Sequence, residues 1–330
     1  MKELKADIKN RSFKRVYLLY GEEKYLVRYY ANLLKETLLP AGADIMNLDV
    51  YEEKSATAES IADACRTAPF LNDCRLVLIR DSRLFLPGRK ADSDPLADFL
   101  ADIPESTVLL FIEEEIDKRG RLYKKLNDLG RAVEFKTPPD KELLDWINNM
   151  VKKRGASLSR DAAQVLLRTT ARSMEALSAE IEKLTGYTGP GGQITITDIE
   201  NICVPALETQ IFNLVDALGN KKPERALDIF NNMLLMKEQP MVVLTMIIRQ
   251  FRLVLLAKEL ADKGRSNIDI AESLSIRGFV VTECLSQGRG FKTDDLTSAL
   301  RDCLEADMNI KSGRISDKLA VETIIVKYAS

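Results

Sequence analysis

Apolar residues follow two different rhythms along this chain, and the change between them comes near residue 140. Before that point, short apolar runs at 16–20, 46–51, 75–80, 107–112 and 132–136 alternate with other stretches. In those stretches, at 25–39, 56–66, 95–103 and 121–129, apolar positions recur every three or four residues. Continuous runs of this length between amphipathic segments predict buried parallel strands covered by helices on both faces. Segment 82–94, which contains Pro87 and Gly88, follows neither rhythm and reads as a loop. Residues 1–140 are therefore expected to form an α/β domain with a parallel sheet and flanking helices.

Thr137-Pro138-Pro139-Asp140 interrupts both patterns, because neither proline continues a helix or a strand easily, and a domain boundary is expected there. Strand signals nearly vanish beyond it. Leu143, Leu144, Ile147, Met150 and Val151 share one helical face, and Gly155 closes that helix. Helices are expected at 160–169 and 174–185, with a glycine-rich turn at 186–193. Thr197 and Glu200 have capping-box spacing for a following helix. Residues 141–208 thus read as a small helical domain. From 209 to 330 the pattern is helical throughout, with helices expected at 210–218, 223–236, 240–261, 268–274, 277–286, 294–310 and 317–328. Pro223 and Pro240 suit first-turn positions. The 240–261 helix is apolar on nearly every face and should be central.

The most pointed local feature lies at the first strand. Its apolar run ends at Gly21, and a helical pattern follows, which is the layout of a phosphate-binding strand–loop–helix. A working phosphate loop reads G-x-x-x-x-G-K-[ST], with backbone amides cradling phosphates, a lysine reaching them and a hydroxyl on Mg²⁺. Counted from Gly21, the last three positions are Leu26, Val27 and Arg28. The second glycine, the lysine and the hydroxyl are all absent. Glu22 and Glu23 would also set negative charge where a helix start should attract a phosphate. The position is expected to hold no nucleotide, which points to an interaction role.

Composition narrows the chemistry further. The 330 residues contain no histidine, which removes His-based acid–base catalysis, Ser-His and Cys-His pairs and the commonest zinc sites. The five cysteines, Cys65, Cys74, Cys203, Cys284 and Cys303, show no C-x-x-C spacing and read as small buried hydrophobes in a reducing compartment. A formal net charge of -2 gives no global attraction to nucleic acid or membrane, though a local basic patch stays open. The N-terminus lacks the apolar core of a signal peptide, and Arg249, Gln250 and Arg252 interrupt the longest apolar stretch. A cytoplasmic protein is expected, with no metal, no cofactor and no catalytic site.

Several smaller groups carry a bland reading beside a sharper one. Glu113-Glu114-Glu115 ends the 107–112 run and could resemble a Mg²⁺-binding strand end, but without a phosphate-binding lysine solvated charges are expected. Asp307, four residues before Lys311, suits an ion pair or cap, and Trp146 suits core packing. Lys152-Lys153-Arg154 suits helix-end compensation, with a phosphate contact as the alternative. Ala68-Pro69-Phe70-Leu71-Asn72-Asp73 lies between a helix and the 75–80 strand. Phe70 and Leu71 there are either internal packing, the default, or an exposed apolar contact worth roughly 1.5–3 kcal/mol for each side chain buried on a partner.

Read in order, the residues resemble the delta subunit family of the bacterial DNA polymerase III clamp loader. The likeness rests on Tyr17-Leu18-Leu19-Tyr20-Gly21-Glu22-Glu23, then Pro69-Phe70-Leu71 leading into Arg75-Leu76-Val77-Leu78-Ile79. Trp146-Ile147 stands ahead of Gly155, and Glu175-Ala176-Leu177 precedes Glu180-Ile181-Glu182-Lys183-Leu184. Ile211-Phe212-Asn213-Leu214-Val215-Asp216-Ala217-Leu218 follows, and then Glu305-Ala306-Asp307 with Ile310-Lys311-Ser312-Gly313.

The resemblance implies an AAA+-like first domain, a lid-like small helical domain and a helical collar for oligomerisation. It also implies a role in a DNA polymerase holoenzyme, a nucleotidyltransferase, without ATP hydrolysis by this chain. The implied partners are the beta sliding clamp, other loader subunits of the gamma/tau and delta-prime type, and primed DNA within the assembled complex. In the family an apolar tip on the first domain grips the clamp and favours an open ring. That tip falls on Pro69, Phe70 and Leu71, where Leu71 departs from the commoner Leu-Phe and Pro-Phe-Phe versions and leaves the second anchor open. Two other functions stand beside this one: an NTPase with a non-standard phosphate loop, and a helical adaptor or DNA-binding regulator.

Overall fold

In the computed structural model, which describes residues 1–329, the chain divides into two compact units, Met1–Leu143 and Leu144–Ser330. The first runs α1 (Lys2–Asn10), β1 (Val16–Tyr20), α2 (Lys24–Leu38), α3 (Asp44–Asn47), β2 (Leu48–Glu52), α4 (Ala58–Arg66), β3 (Arg75–Arg80), α5 (Lys90–Phe99), β4 (Thr107–Glu113), α6 (Arg121–Leu129) and β5 (Arg131–Glu134). A long helix, α7 (Asp140–Lys153), follows. The strands form one sheet in the order β2-β3-β4-β1-β5, and every neighbouring pair is parallel. Val16, Leu18, Tyr20, Val77, Ile79, Leu109 and Phe111 pack on one face against Ile61, Leu96, Leu122 and Leu126 of α4, α5 and α6. Because successive strand side chains alternate faces, Tyr17, Leu19, Leu76, Leu78, Val108 and Leu110 turn to the other side, towards α2, and all are buried. Two-sided burial is why these strands are continuous apolar runs. The expected parallel sheet with flanking helices is present.

Two local expectations change, and one helix, α1, was not foreseen. The 46–51 run is not all strand: β2 begins at Leu48, and Asp44–Asn47 is a single helical turn. The 82–94 segment is a loop only to Arg89, because α5 starts at Lys90, upstream of Pro95. That extra turn is held by the Arg89–Asp92 ion pair at 2.6 Å and by Asp92 accepting the N–H of Ala58 at 3.3 Å. The helix α1 gave no apolar signal, since its only buried residues are Leu4 and Asp7. Asp7 anchors it by accepting from Tyr17 Oη at 3.0 Å and pairing with Arg131 at 2.6 Å.

The second unit continues with β6 (Ser157–Leu158), α8 (Arg160–Thr169), α9 (Met174–Thr188), β7 (Gln193–Ile194) and α10 (Ile196–Ile202). The two-residue strands pair in parallel, an element too short to show in the sequence pattern. The capping box at α10 is formed by Thr195 and Asp198 rather than by Thr197 and Glu200. The helix thus starts one residue before Thr197, which lies inside it.

Helices α11 (Leu207–Gly219), α12 (Pro223–Leu235), α13 (Pro240–Asp262), α14 (Asn267–Leu274), α15 (Gly278–Gly288), α16 (Thr293–Lys311) and α17 (Asp317–Ala329) build a bundle. Pro223 and Pro240 sit in their first turns as expected. By length and composition α13 could cross a membrane. In this fold α11, α14, α15, α16 and α17 surround it, and Val243, Leu244, Ile247, Phe251 and Val254 are enclosed, while Arg249 and Arg252 reach solvent. Arg172 ties the α8–α9 turn to α15, pairing with Glu283 at 3.3 Å and lying 3.5 Å over the Phe279 ring.

Candidate functional site

Parallel strands give the first unit two distinct edges. Loops that follow strands lie at one edge, and loops that precede them lie at the other. The candidate residues divide between the two.

At the edge that follows the strands, the turn after β1 is bonded to the chain that follows β5. Only Gly21, Glu22 and Glu23 separate β1 from α2. Gly21 has φ +123°, and a Cβ there would come 2.4 Å from the Phe135 carbonyl oxygen, so only glycine fits. The Phe135 N–H donates to Tyr20 O at 2.7 Å, and its carbonyl accepts the Glu23 N–H at 3.1 Å. The Phe135 ring stacks on Tyr30 of α2. Glu22 accepts the Thr137 N–H at 3.1 Å, and Lys24 pairs with Glu114 at 2.9 Å. Leu26 and Val27 are 6% and 5% exposed and belong to the apolar face of α2, whereas Arg28 is exposed. Where a phosphate loop would offer amides and a lysine, this chain presents a short turn bonded to Phe135 and two core side chains.

Glu113, at the end of β4, is not the solvated charge expected. It is buried, while its neighbours Glu114 and Glu115 are exposed. One carboxylate oxygen accepts the Ser82 N–H at 3.1 Å and the Ser82 hydroxyl, and the other accepts the Arg83 N–H at 3.2 Å. Burial pushes its pKa above the ordinary carboxyl range, although these donors oppose the shift. Its role is to tie the loop after β3 to the end of β4.

At the opposite edge, α3 leads into β2 and the Pro69–Asn72 segment leads into β3, and β2 and β3 are paired neighbours. Phe70 is 55% exposed and Leu71 is 91% exposed, so the pair is not internal packing. Pro69 before them is half-buried. Leu71 has φ +49°, a left-handed conformation that costs a non-glycine residue about 1–2 kcal/mol. The turn is held by Asn47, which is 1% exposed. Its amide oxygen accepts the Phe70 N–H at 2.6 Å, and its amide nitrogen donates to Phe70 O at 3.0 Å and to Ala43 O at 2.9 Å. Arg75 braces the same corner, donating to Met46 O at 3.2 Å and pairing with Asp49 at 2.7 Å.

Sequence reasoning did not pick out Asn47, or Ile45 and Met46 beside it. Met46 was read as the start of a strand, and an apolar pair at a strand start gives no sign of exposure. The turn-forming Pro40-Ala41-Gly42 just upstream was the available signal.

The remaining candidates are structural. Asp307 pairs with Lys311 at 2.7 Å along one helix. Trp146 is half-buried on α7, and Lys152 and Lys153 lie in the exposed last turn of that helix. Arg154 pairs with Glu182 at 3.6 Å. All five cysteines are free, and burial raises their thiols, Cys65 and Cys303 to about 12 and Cys284 to about 11. None is primed as a nucleophile.

Comparison with known proteins now bears on this geometry. The family model described as "DNA polymerase III, delta subunit" matches residues 17–136, and "DNA polymerase III delta subunit, C-terminal domain" matches residues 208–328. The chain belongs to the DNA polymerase III delta subunit family. The DNA polymerase III subunit delta of Bacillus subtilis is 28% identical over 94% of this chain and 92% of its own length. That of Escherichia coli is 29% identical over 76% of this chain and 73% of its own length. The solved Bacillus subtilis DNA clamp loader delta protein superposes with a TM-score of 0.76 at 25% identity, covering 99% of both chains. Delta-family membership makes the chain a clamp-loader component of DNA replication. The apolar edge ahead of β2 and β3, together with the closed edge after β1 and β4, is what the delta-family fold presents in this chain.

Proposed function

We infer that this chain binds the ring-shaped beta sliding clamp through Pro69, Phe70 and Leu71 and favours its open state for loading onto primed DNA. The observation that carries the reading is the exposed Phe70–Leu71 pair on a turn fixed by a buried side chain. An ordered apolar tip loses little conformational entropy when a partner covers it. Opening a ring by this means needs no catalysis, only tighter binding to the open form than to the closed one. The chain does not bind or hydrolyse ATP: the Gly21–Arg28 position is occupied by Phe135 contacts and by core side chains.

Residues 141–208 act as a lid-like small domain and 209–330 as a collar that joins gamma/tau and delta-prime type subunits. The collar reading is supported by exposed apolar residues on two adjacent helices, Leu304 and Met308 on α16 and Leu319 and Val326 on α17. Exposed apolar residues gathered on neighbouring helices suit a surface that an assembly covers. The working compartment is the cytoplasm.

Titrating the full chain with the purified cognate sliding clamp tests the reading. Saturable binding should appear without nucleotide and remain unchanged when Mg-ATP is added. Calorimetry with millimolar Mg-ATP alone should give no saturable heat. Absence of clamp binding would favour an adaptor role, and a micromolar ATP dissociation constant would favour an NTPase.

A further inference from the structure

The turn that carries Phe70 is hydrogen-bonded to a second exposed apolar segment. Residues Asp44–Asn47 form one helical turn whose inward residue, Asn47, makes the bonds to the Phe70 backbone. Its outward residues are Ile45, 81% exposed, and Met46, also exposed. The two segments enter adjacent, paired strands at the same sheet edge, so Ile45 and Met46 extend the surface that Phe70 and Leu71 begin.

We propose that the Asp44–Asn47 turn is the second half of the clamp-binding tip, with Ile45 and Met46 touching the clamp and Asn47 positioning Phe70 and Leu71. This rests on the reading that Phe70 and Leu71 meet the sliding clamp. Three features support a single shared occupant. Both exposed apolar pairs lie ahead of neighbouring, paired strands, and the Asn47–Phe70 hydrogen bonds join the two segments. A buried amide satisfies both the N–H and the C=O of Phe70, which leaves that stretch of backbone little freedom. Leu71 is kept in a left-handed conformation that a loose loop would abandon. Asn47 therefore acts through the tip rather than by contact. Met46 has a separate anchor, since its carbonyl is held by Arg75, so the turn does not depend on its apolar side chains for its shape.

Four variants of the full chain, Ile45→Ala/Met46→Ala, Asn47→Ala, Phe70→Ala/Leu71→Ala and the triple Asn47→Ala/Phe70→Ala/Leu71→Ala, are compared for melting temperature and for affinity to the purified sliding clamp. The Ile45→Ala/Met46→Ala pair should weaken clamp binding about tenfold or more with an unchanged melting temperature. Asn47→Ala should weaken binding by about tenfold and speed amide exchange at Phe70 and Leu71. Its effect on affinity should vanish in the Phe70→Ala/Leu71→Ala background, a coupling that general destabilisation would not produce. If Phe70→Ala/Leu71→Ala binds like the parent chain, the underlying reading and this extension fall together. If that variant loses binding while Ile45→Ala/Met46→Ala keeps it, the extension alone is wrong. Equal Asn47→Ala losses in both backgrounds would overturn the positioning role.

Discussion

The two edges of one parallel sheet have been treated in opposite ways. At the edge after the strands, where α/β proteins commonly bind ligands, the turn after β1 and the end of β4 are bonded to the protein's own chain. Gly21 lies against Phe135, Glu23 is bonded to it, Leu26 and Val27 are core, and Glu113 is consumed by Ser82 and Arg83. At the edge before the strands, Ile45, Met46, Phe70 and Leu71 are left facing solvent on backbone that is unusually well tied down. Satisfying the polar groups of one edge makes it a rigid support. Leaving apolar groups uncovered at the other offers a surface that a partner could cover. On the proposed function, a nucleotide-type layout serves as scaffold while the clamp is met at the far side of the sheet.

Changes at the closed edge should damage the fold most. Phe135→Ala removes a fully enclosed ring that stacks on Tyr30 and seals the end of β1. It should cost about 3–5 kcal/mol in chemical denaturation. Clamp affinity of the folded variant should remain near that of the parent chain. A tenfold loss in a sample shown to be folded would mean that the two edges are not independent. Gly21→Val should cost somewhat less, about 2–4 kcal/mol, because it forces both a positive φ and a Cβ onto the Phe135 carbonyl. An unchanged midpoint would show that the turn can rearrange and that the edge is not rigidly closed.

This contrast was only partly legible in the residues. The strands Val16–Tyr20 and Arg75–Arg80 were, because burial on both faces leaves an uninterrupted apolar run. The missing phosphate chemistry was legible too, since it is a matter of residue identity at known spacing. The exposure of Phe70 and Leu71 was not: side chains packed inside and side chains held out on a turn have the same composition. What decides between them is Asn47, 23 residues away, and a single polar residue has no periodicity that reveals it. The helix α1 was invisible for a related reason, as it is anchored through the buried carboxylate of Asp7 rather than by an apolar stripe. Glu113 read as solvated because its three donors come from a loop about thirty residues earlier.

A gentler perturbation of the closed edge uses pH. Burial raises Glu113 above its value in the unfolded chain, so as pH falls from 7 the native state takes up this proton first. By linkage the parent chain then gains stability from this group down to about pH 4, where the unfolded chain protonates as well. Glu113→Gln has no such proton to bind. The stability difference, parent minus variant, should therefore grow as pH falls from 7 towards 4 in parallel urea titrations. A difference that stays flat would place Glu113 in a solvated setting.

The smallest effect on the fold, and the largest on function, is expected at the open edge. Phe70→Ala/Leu71→Ala removes two exposed side chains and should shift stability by no more than about 0.5 kcal/mol. Melting temperature and sliding-clamp affinity measured on the same preparation of this variant test the central claim most directly. The account predicts an essentially unchanged melting temperature with clamp binding weakened at least about a hundredfold, from roughly 3–6 kcal/mol of lost apolar contact. Clamp affinity equal to that of the parent chain would contradict it, and a large drop in melting temperature alongside that affinity would assign Phe70 and Leu71 to the core.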